Sequence, residues 1–405
     1  MIRETVLGTA DIIEMTGKYQ MANYARSPVA FVRGEGAKLF DAEGREYLDF
    51  LGGIAVALLG HAHPEVTRAI ALQAGTLLHA SNLFHVPVQS EAARLISEST
   101  TGGKVFLCNS GTEANEAAIK LARKWSSDRG KEGVFEFVVL EGSFHGRTYG
   151  GLSATGQPKF HKGFEPMLPG FVMVPYGDIS ALDIALTDRT CALLFEPIQG
   201  ESGVRMPPPG YLKEAERLCR ERGILLVADE IQTGLGRTGA MLACERFGLS
   251  PDIVTLAKGL ANGLPLGAVV ARDEVAAAFG PGSHGSTFGG NPVCCAAAKV
   301  VLETLRSPGF LKEVSRKGEL FRNGLSDLAS RRTDVREVRG MGLMLAIEME
   351  VETKEIAQRA LQNGLVVNAT SGNVLRFLPS LTVDDGEIRK ALNMLWDSLP
   401  AEGRK

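Results

Sequence analysis

With 405 residues, 44% hydrophobic and 22% charged, the chain has length for one large core and a smaller satellite. A formal charge of −3 gives no basic excess for nucleic acid, and no basic amphipathic stretch points to a membrane surface. Residues 1–13 carry Glu4 and Asp11 with no continuous apolar stretch, so they do not read as a signal peptide, and no run approaches the ~18 apolar residues of a spanning helix.

The first pattern, "VAFVRGEGAKLFDAEGREYLDFLGG", alternates apolar and polar residues around a turn at 41–44, which predicts antiparallel strands ended by glycines 52, 53 and 60. From about 66 to 290, short apolar runs alternate with helical patterns, as in a mostly parallel sheet covered on both faces. Strands are expected at 105–108, 134–140, 191–196, 224–229, 253–257 and 267–271, with helices including 112–125 and 211–222. Beyond 300 the chain is mixed: 335–349 and 374–383 read as strands, and 387–399 has helical spacing. The expected division is a large α/β domain at 66–300 and a smaller α+β domain built from 1–65 and 301–405. Six cysteines form no CxxC pair and no disulfide-like framework, which suits a reducing cytosol; adjacent Cys294 and Cys295 read as small apolar helix residues.

In an open α/β sheet, ligands bind beyond the carboxyl ends of the strands. Those ends present Asn109 to Gly111, Phe144 with His145, Glu196, Asp229 with Glu230, and Lys258. In "CNSGTEANEAAIKLARKW", Ser110 and Glu113 have capping-box spacing, and a helix N-terminus suits a phosphate; a plain capped helix is the other reading. In "ILLVADEIQ" a buried apolar run ends in two acids, and Asp229 there needs a cationic partner. A protonated pyridine nitrogen would serve, as would a cap or a salt bridge. In "IVTLAKGLANGLPLGAVVA", Lys258 closes an apolar run and is either a snorkelling surface group or a desolvated amine nucleophilic toward carbonyls.

Two patterns mislead. Gly234, Gly236 and Gly239 in "TGLGRTG" match a dinucleotide fingerprint, but "DEIQT" separates them from their strand and would repel a pyrophosphate. His61 and His63 form an HxH pair with no third ligand nearby, flanked by Gly60 and Pro64, and read as a turn; no metal is expected.

Taken in order, "GIAVALLGHAHPEV", "CNSGTEANEAAIKLAR", "GSFHGRT", "EPIQGESG", "VADEIQTGLGRTG", "LAKGLANGLPLGA" and "HGSTFGGNP" make the chain resemble class III aminotransferases of fold type I, which depend on pyridoxal 5'-phosphate (PLP), over about 15–400. Within that class it is most similar to the acetylornithine aminotransferases. The resemblance implies that Lys258 is the Schiff-base lysine, Asp229 the partner of the pyridinium nitrogen, and Gln232 the group near the ring's phenolic oxygen. Ser110, Gly111 and Thr112 would cradle the phosphate and Phe144 would stack on the ring. Thr287 would reach the phosphate held by a partner subunit, which implies a homodimer with shared sites. Arg147 would receive a substrate carboxylate, and Arg376, paired with Glu201, the α-carboxylate of glutamate, with Tyr24 and Ile54 also near substrate. Ornithine aminotransferases carry an aromatic where Ile54 stands, so N-acetylornithine with 2-oxoglutarate is the expected pair, in arginine biosynthesis. Succinyl-diaminopimelate, a carrier-bound lysine precursor, ornithine or 4-aminobutyrate are the alternative substrates. A non-catalytic regulator on the same fold is disfavoured by the presence of Lys258, Asp229 and both arginines.

Overall fold

The computed structural model describes residues 7–401 and 403. The expectations for residues 1–6, 402, 404 and 405 lie outside the described residues. Strands β1 (Phe31–Glu35), β2 (Lys38–Asp41) and β3 (Glu46–Asp49) form the antiparallel meander that the alternation predicts. Asp41 makes its turn: the carboxylate accepts from Glu43 N at 3.1 Å and Arg45 N at 2.8 Å, closing the loop with a side chain.

The central sheet comprises β4 (Lys104–Cys108), β5 (Glu136–Leu140), β6 (Phe171–Val174), β7 (Thr190–Phe195), β8 (Leu225–Asp229), β9 (Ile253–Leu256) and β10 (Gly267–Ala271). Its order is β4-β10-β9-β8-β7-β5-β6, parallel from β6 to β9, with β10 antiparallel to both neighbours. Alternate residues of β5 enter opposite cores: Val138 and Leu140 pack on one face, Phe137 and Val139 on the other. Burial on both faces is why these strands read as unbroken apolar runs. Helix Gly111–Asp128 packs across β9 and β10, its alanines 114, 117, 118 and 122 fully buried.

The C-terminal part adds β11 (Val335–Met341), β12 (Met344–Met349), β13 (Leu365–Val366), β14 (Asn368–Thr370) and β15 (Val374–Phe377). β13 pairs in parallel with β3, so residues from both ends of the chain share a sheet. The others form the antiparallel order β11-β12-β15-β14. The strand expected over 374–383 stops at Phe377, because Pro379 has no N–H to offer a ladder. β6, an edge strand of four residues, was not foreseen. The last helix runs Asp385–Ser398 behind an Asp384–Glu387 capping box.

The "TGLGRTG" turn has a packing explanation. A Cβ on Gly239 would lie 2.1 Å from Ser315 Oγ, and one on Gly342 2.5 Å from the Thr238 carbonyl carbon, so glycine permits this close approach. Arg237, fully buried, donates to the Leu343 carbonyl at 3.0 Å and the Pro379 carbonyl at 2.5 Å, tying this loop to the C-terminal sheet. All six cysteines are free and buried. Among the described residues no helix is long and apolar enough to cross a membrane.

Candidate active site

Beyond the carboxyl ends of β4, β5, β7, β8 and β9 lies a cavity of about 430 Å³. It is lined by Ser110, Gly111, Thr112, Phe144, His145, Arg147, Glu196, Asp229, Gln232 and Lys258, among others. The strand ends thus converge on one edge.

Asp229, the last residue of β8, is only 4% exposed. Its Oδ2 accepts from Asn115 Nδ2 at 2.8 Å and lies 2.8 Å from His145 Nδ1; its Oδ1 accepts from Ile231 N at 3.1 Å. Asn115 is itself fixed, receiving Thr255 Oγ1 at 2.9 Å and donating to the His145 carbonyl at 2.8 Å. Three partners on one buried carboxylate set its direction as well as its charge. Among the described residues His145 Nε2 is buried without a protein partner. Glu196 accepts from Phe144 N at 2.9 Å and Gly200 N at 3.1 Å. Burial raises the Glu196 carboxyl above the usual range, an effect that His145 opposes and Asp229 reinforces.

Lys258 follows β9 in the left-handed region, with φ 43°, a conformation that a β-carbon makes costly, and it lines the cavity. Among the described residues it makes no ion pair. Burial lowers its pKa, with Asp229, Glu201 and Glu196 opposing. The desolvated-amine reading of the sequence fits this environment.

Ser110 caps the helix Gly111–Asp128 by accepting Glu113 N at 3.3 Å. The Glu113 carboxylate reaches one residue further back than a capping box requires, to Asn109 N at 2.9 Å. The N–H groups of Gly111 and Thr112 belong to the first turn, which a helix cannot satisfy from within, and both residues line the cavity. A Cβ on Gly111 would come 2.8 Å from Ile231, and one on Gly146 2.2 Å from Thr112 Oγ1, so the turn is packed as tightly as glycine allows.

Arg147 is exposed at the cavity rim, its guanidinium 4.2 Å from the Phe160 ring centroid and 5.5 Å from that of Phe144. Phe144 and Phe160 meet edge to face at 5.9 Å. No carboxylate pairs with Arg147 among the described residues.

Arg376 is buried, and its Nη1 donates to Glu201 Oε1 at 2.7 Å, Gln232 Oε1 at 3.0 Å and the Gly200 carbonyl at 3.1 Å. Its Nη2 donates to Asn368 Oδ1 at 2.8 Å. Gln232 Nε2 also donates to Glu201 at 3.2 Å, so Gln232 joins this cluster to the cavity it lines. Burial pushes the Glu201 carboxyl up, but Arg376, with Lys258 and Gln232, outweighs it and leaves the pKa below the usual carboxylate value.

Three expected site residues lie elsewhere in this chain. Thr287 is exposed and borders a separate small crevice with His79, Phe288 and Asn291. Tyr24 is 69% exposed, its ring 5.3 Å from the Arg26 guanidinium. Ile54 has φ 65° and packs against the cluster of Ala55, Ile198 and Val204, while Val56 takes the place on the cavity wall. His61 bonds Asp49 at 2.7 Å, which accounts for it as a structural residue. Asn115 and Asn368 were not foreseen: their partners stand 114 and 8 residues away, and nothing local marks either asparagine.

These residues fit a planar pyridine carrying a phosphate and an aldehyde. Helix N–H groups suit the phosphate, Asp229 a protonated ring nitrogen, the Phe144 ring a flat face, and Lys258 a carbonyl. The buried, unpartnered Nε2 of His145 gives the cavity one polar atom still to be satisfied.

Known proteins give the same picture. The family described as Aminotransferase class-III matches residues 19–399. The acetylornithine aminotransferase of Caldanaerobacter subterraneus subsp. tengcongensis is 50% identical over 383 residues, 94% of this chain and 97% of its own. That of Aquifex aeolicus is 50% identical over 382 residues, 94% of this chain and 100% of its own. Among solved structures, an ornithine aminotransferase from Toxoplasma gondii, described with partial occupancy of PLP at the active site, superposes with TM-score 0.93 at 37% identity, covering 97% of this chain and 94% of that one.

Proposed function

This chain belongs to the class-III aminotransferases, PLP-dependent enzymes of fold type I, and we propose that it transfers the δ-amino group of N2-acetyl-L-ornithine to 2-oxoglutarate, giving N-acetyl-L-glutamate 5-semialdehyde and L-glutamate. One observation carries the two-substrate reading, that of the two candidate carboxylate-binding arginines one is open and one is masked, while the choice of acetylornithine over other monocarboxylates follows the relatives at 50% identity. Among the described residues Arg147 has no carboxylate partner at the rim, while Arg376 is buried against Glu201 at 2.7 Å. Acetylornithine brings one free carboxylate and glutamate brings two, so a site serving both needs a second cation that can be uncovered or neutralised.

When bound, PLP supplies the electron sink for the carbon that bears the amine. Lys258 Nζ, held with lowered basicity, would hold the aldehyde at rest and, once displaced and freed by the substrate amine, would carry the proton to and from that carbon. Asp229, fixed by Asn115 and His145, would keep the proton on the ring nitrogen. Ser110, Gly111 and Thr112 would hold the phosphate, Phe144 would cover one face, and Gln232 would serve the phenolic oxygen. Arg147 grips the carboxylate of acetylornithine and the side-chain carboxylate of glutamate; Arg376 takes the α-carboxylate of glutamate after Glu201 releases it.

The working unit is proposed to be a homodimer in which Thr287 reaches the partner's phosphate site. Exposed Phe288 (62%), Leu83 (86%) and Phe84 (66%) beside Thr287 support this, as apolar surface that a second subunit would cover. Residues 66–300 are taken as the cofactor-binding domain, and the pairing of β3 with β13 supports joining 1–65 and 301–405 into the smaller one. Buried free thiols suit the cytoplasm.

The test is a panel of amino donors with 2-oxoglutarate: acetylornithine, ornithine, succinyl-diaminopimelate and 4-aminobutyrate. Acetylornithine is expected to give the highest kcat/KM. The ornithine aminotransferase superposition favours ornithine as the second reading, and a larger kcat/KM for ornithine would overturn the first.

A further inference from the structure

Arg376 is held by more than its ion pair. It lies on β15, and Asn368 stands directly opposite on β14 in the antiparallel register, so their side chains share a face. Asn368 Oδ1 accepts from Arg376 Nη2 at 2.8 Å. With Oδ1 so committed, the amide's two N–H donors are left free by the guanidinium. Among the described residues they have no protein partner.

The same strand fixes the other half of the pair. Thr370, two residues along and therefore on the same face, donates to the Glu201 carbonyl at 2.8 Å. The Glu201 backbone is thereby anchored to β14, and release of Arg376 falls to the Glu201 side chain alone. A carboxylate arriving in its place would meet Arg376 and, beside it, the unused N–H groups of Asn368.

We propose that Asn368 is a specificity-determining residue for the dicarboxylate half of the reaction, holding Arg376 through Oδ1 and donating through Nδ2 to the α-carboxylate of glutamate or 2-oxoglutarate. This rests on the Arg376–Glu201 reading above. Acetylornithine, whose single carboxylate goes to Arg147, leaves Asn368 idle.

The test uses the PLP-loaded protein with Asn368→Asp, which keeps the shape and the Arg376 contact but replaces the donor by a negative acceptor. A hydrogen bond to a charged group is worth about 10- to 100-fold in affinity, so KM for glutamate should rise by roughly that factor with kcat nearly unchanged. The acetylornithine half-reaction, followed separately, should stay within about 3-fold of wild type, the size of a bond not made. Calorimetric titration with glutarate gives a readout independent of turnover: its Kd should weaken in parallel, while that of butyrate should not move. Asn368→Ser, smaller and still able to donate, should lose less than Asn368→Asp, and it serves if the aspartate variant does not fold. Equal damage to both half-reactions, or none to either, overturns the proposal while leaving the aminotransferase reading intact. A wild-type enzyme that does not react with glutamate overturns both.

Discussion

The site has two walls built on opposite plans, one lining the cavity at Asp229 and one reached from it through Gln232. At the Asp229 wall the carboxylate is pinned: Asn115, His145 and the Ile231 amide converge on it, and Thr255 pins Asn115. At the Arg376 wall an ion pair is made by a carboxylate side chain that is still 28% exposed. A reaction whose two halves share one chemistry but differ in substrate needs this division. What is common to both halves can be rigid; what distinguishes them must come apart.

Mutations should therefore separate the walls. Lys258→Ala, at the fixed wall, should reduce transamination below detection while leaving circular dichroism and melting unchanged; near wild-type turnover without added amine would remove Lys258 from the mechanism. Asp229→Asn keeps the shape and removes the charge, and should lower kcat in both half-reactions alike, by about 30-fold to several thousand-fold if the buried charge is worth ~2–5 kcal/mol. An unchanged kcat would mean that Asp229 does not face the ring.

At the other wall, Arg376→Ala should slow the glutamate half-reaction by a comparable factor, on the order of 30-fold or more, and leave the acetylornithine half far less affected. Stopped-flow spectra of each half decide it, and equal losses would show that the walls are not functionally distinct. The smallest effect concerns pH. The Glu201 carboxyl lies below its ordinary value of 4.5, so its contribution to stability is complete above that pH and is lost as pH falls through the lower folded-state value. The difference in Tm between wild type and Glu201→Gln, on the order of 1–3 °C at neutral pH, should shrink on acidification below about pH 4.5. A difference that grows in acid would mean that Glu201 is not ionised against Arg376.

The fixed wall was readable from the sequence because its signals are local. An apolar run that ends in an acid, and another that ends in a lysine, already violate the expectation for buried strands, and β8 and β9 lie where those runs predict within a residue or two. The Arg376 wall carries no such mark. Arg376 sits in an ordinary strand 175 residues from Glu201, and only family resemblance joined them. Asn115 was passed over because an asparagine among alanines looks like a tolerated helix residue until Asp229 is set opposite it. The glycines of "TGLGRTG" have a use, letting the 234–239 loop press against the C-terminal part of the chain, that needs three dimensions to see.

The six buried cysteines make the chain its own unfolding sensor. Thiolate is the reactive form, and burial pushes Cys108, Cys191, Cys219 and Cys295 up to about 12. A thiol-directed dye therefore meets no ready target on the native surface, and each modified cysteine records a molecule that has opened. Since the cysteines are distributed from β4 to the helix Pro292–Arg306, mapping which sulfur labels first would order the opening of the core, with no engineered probe.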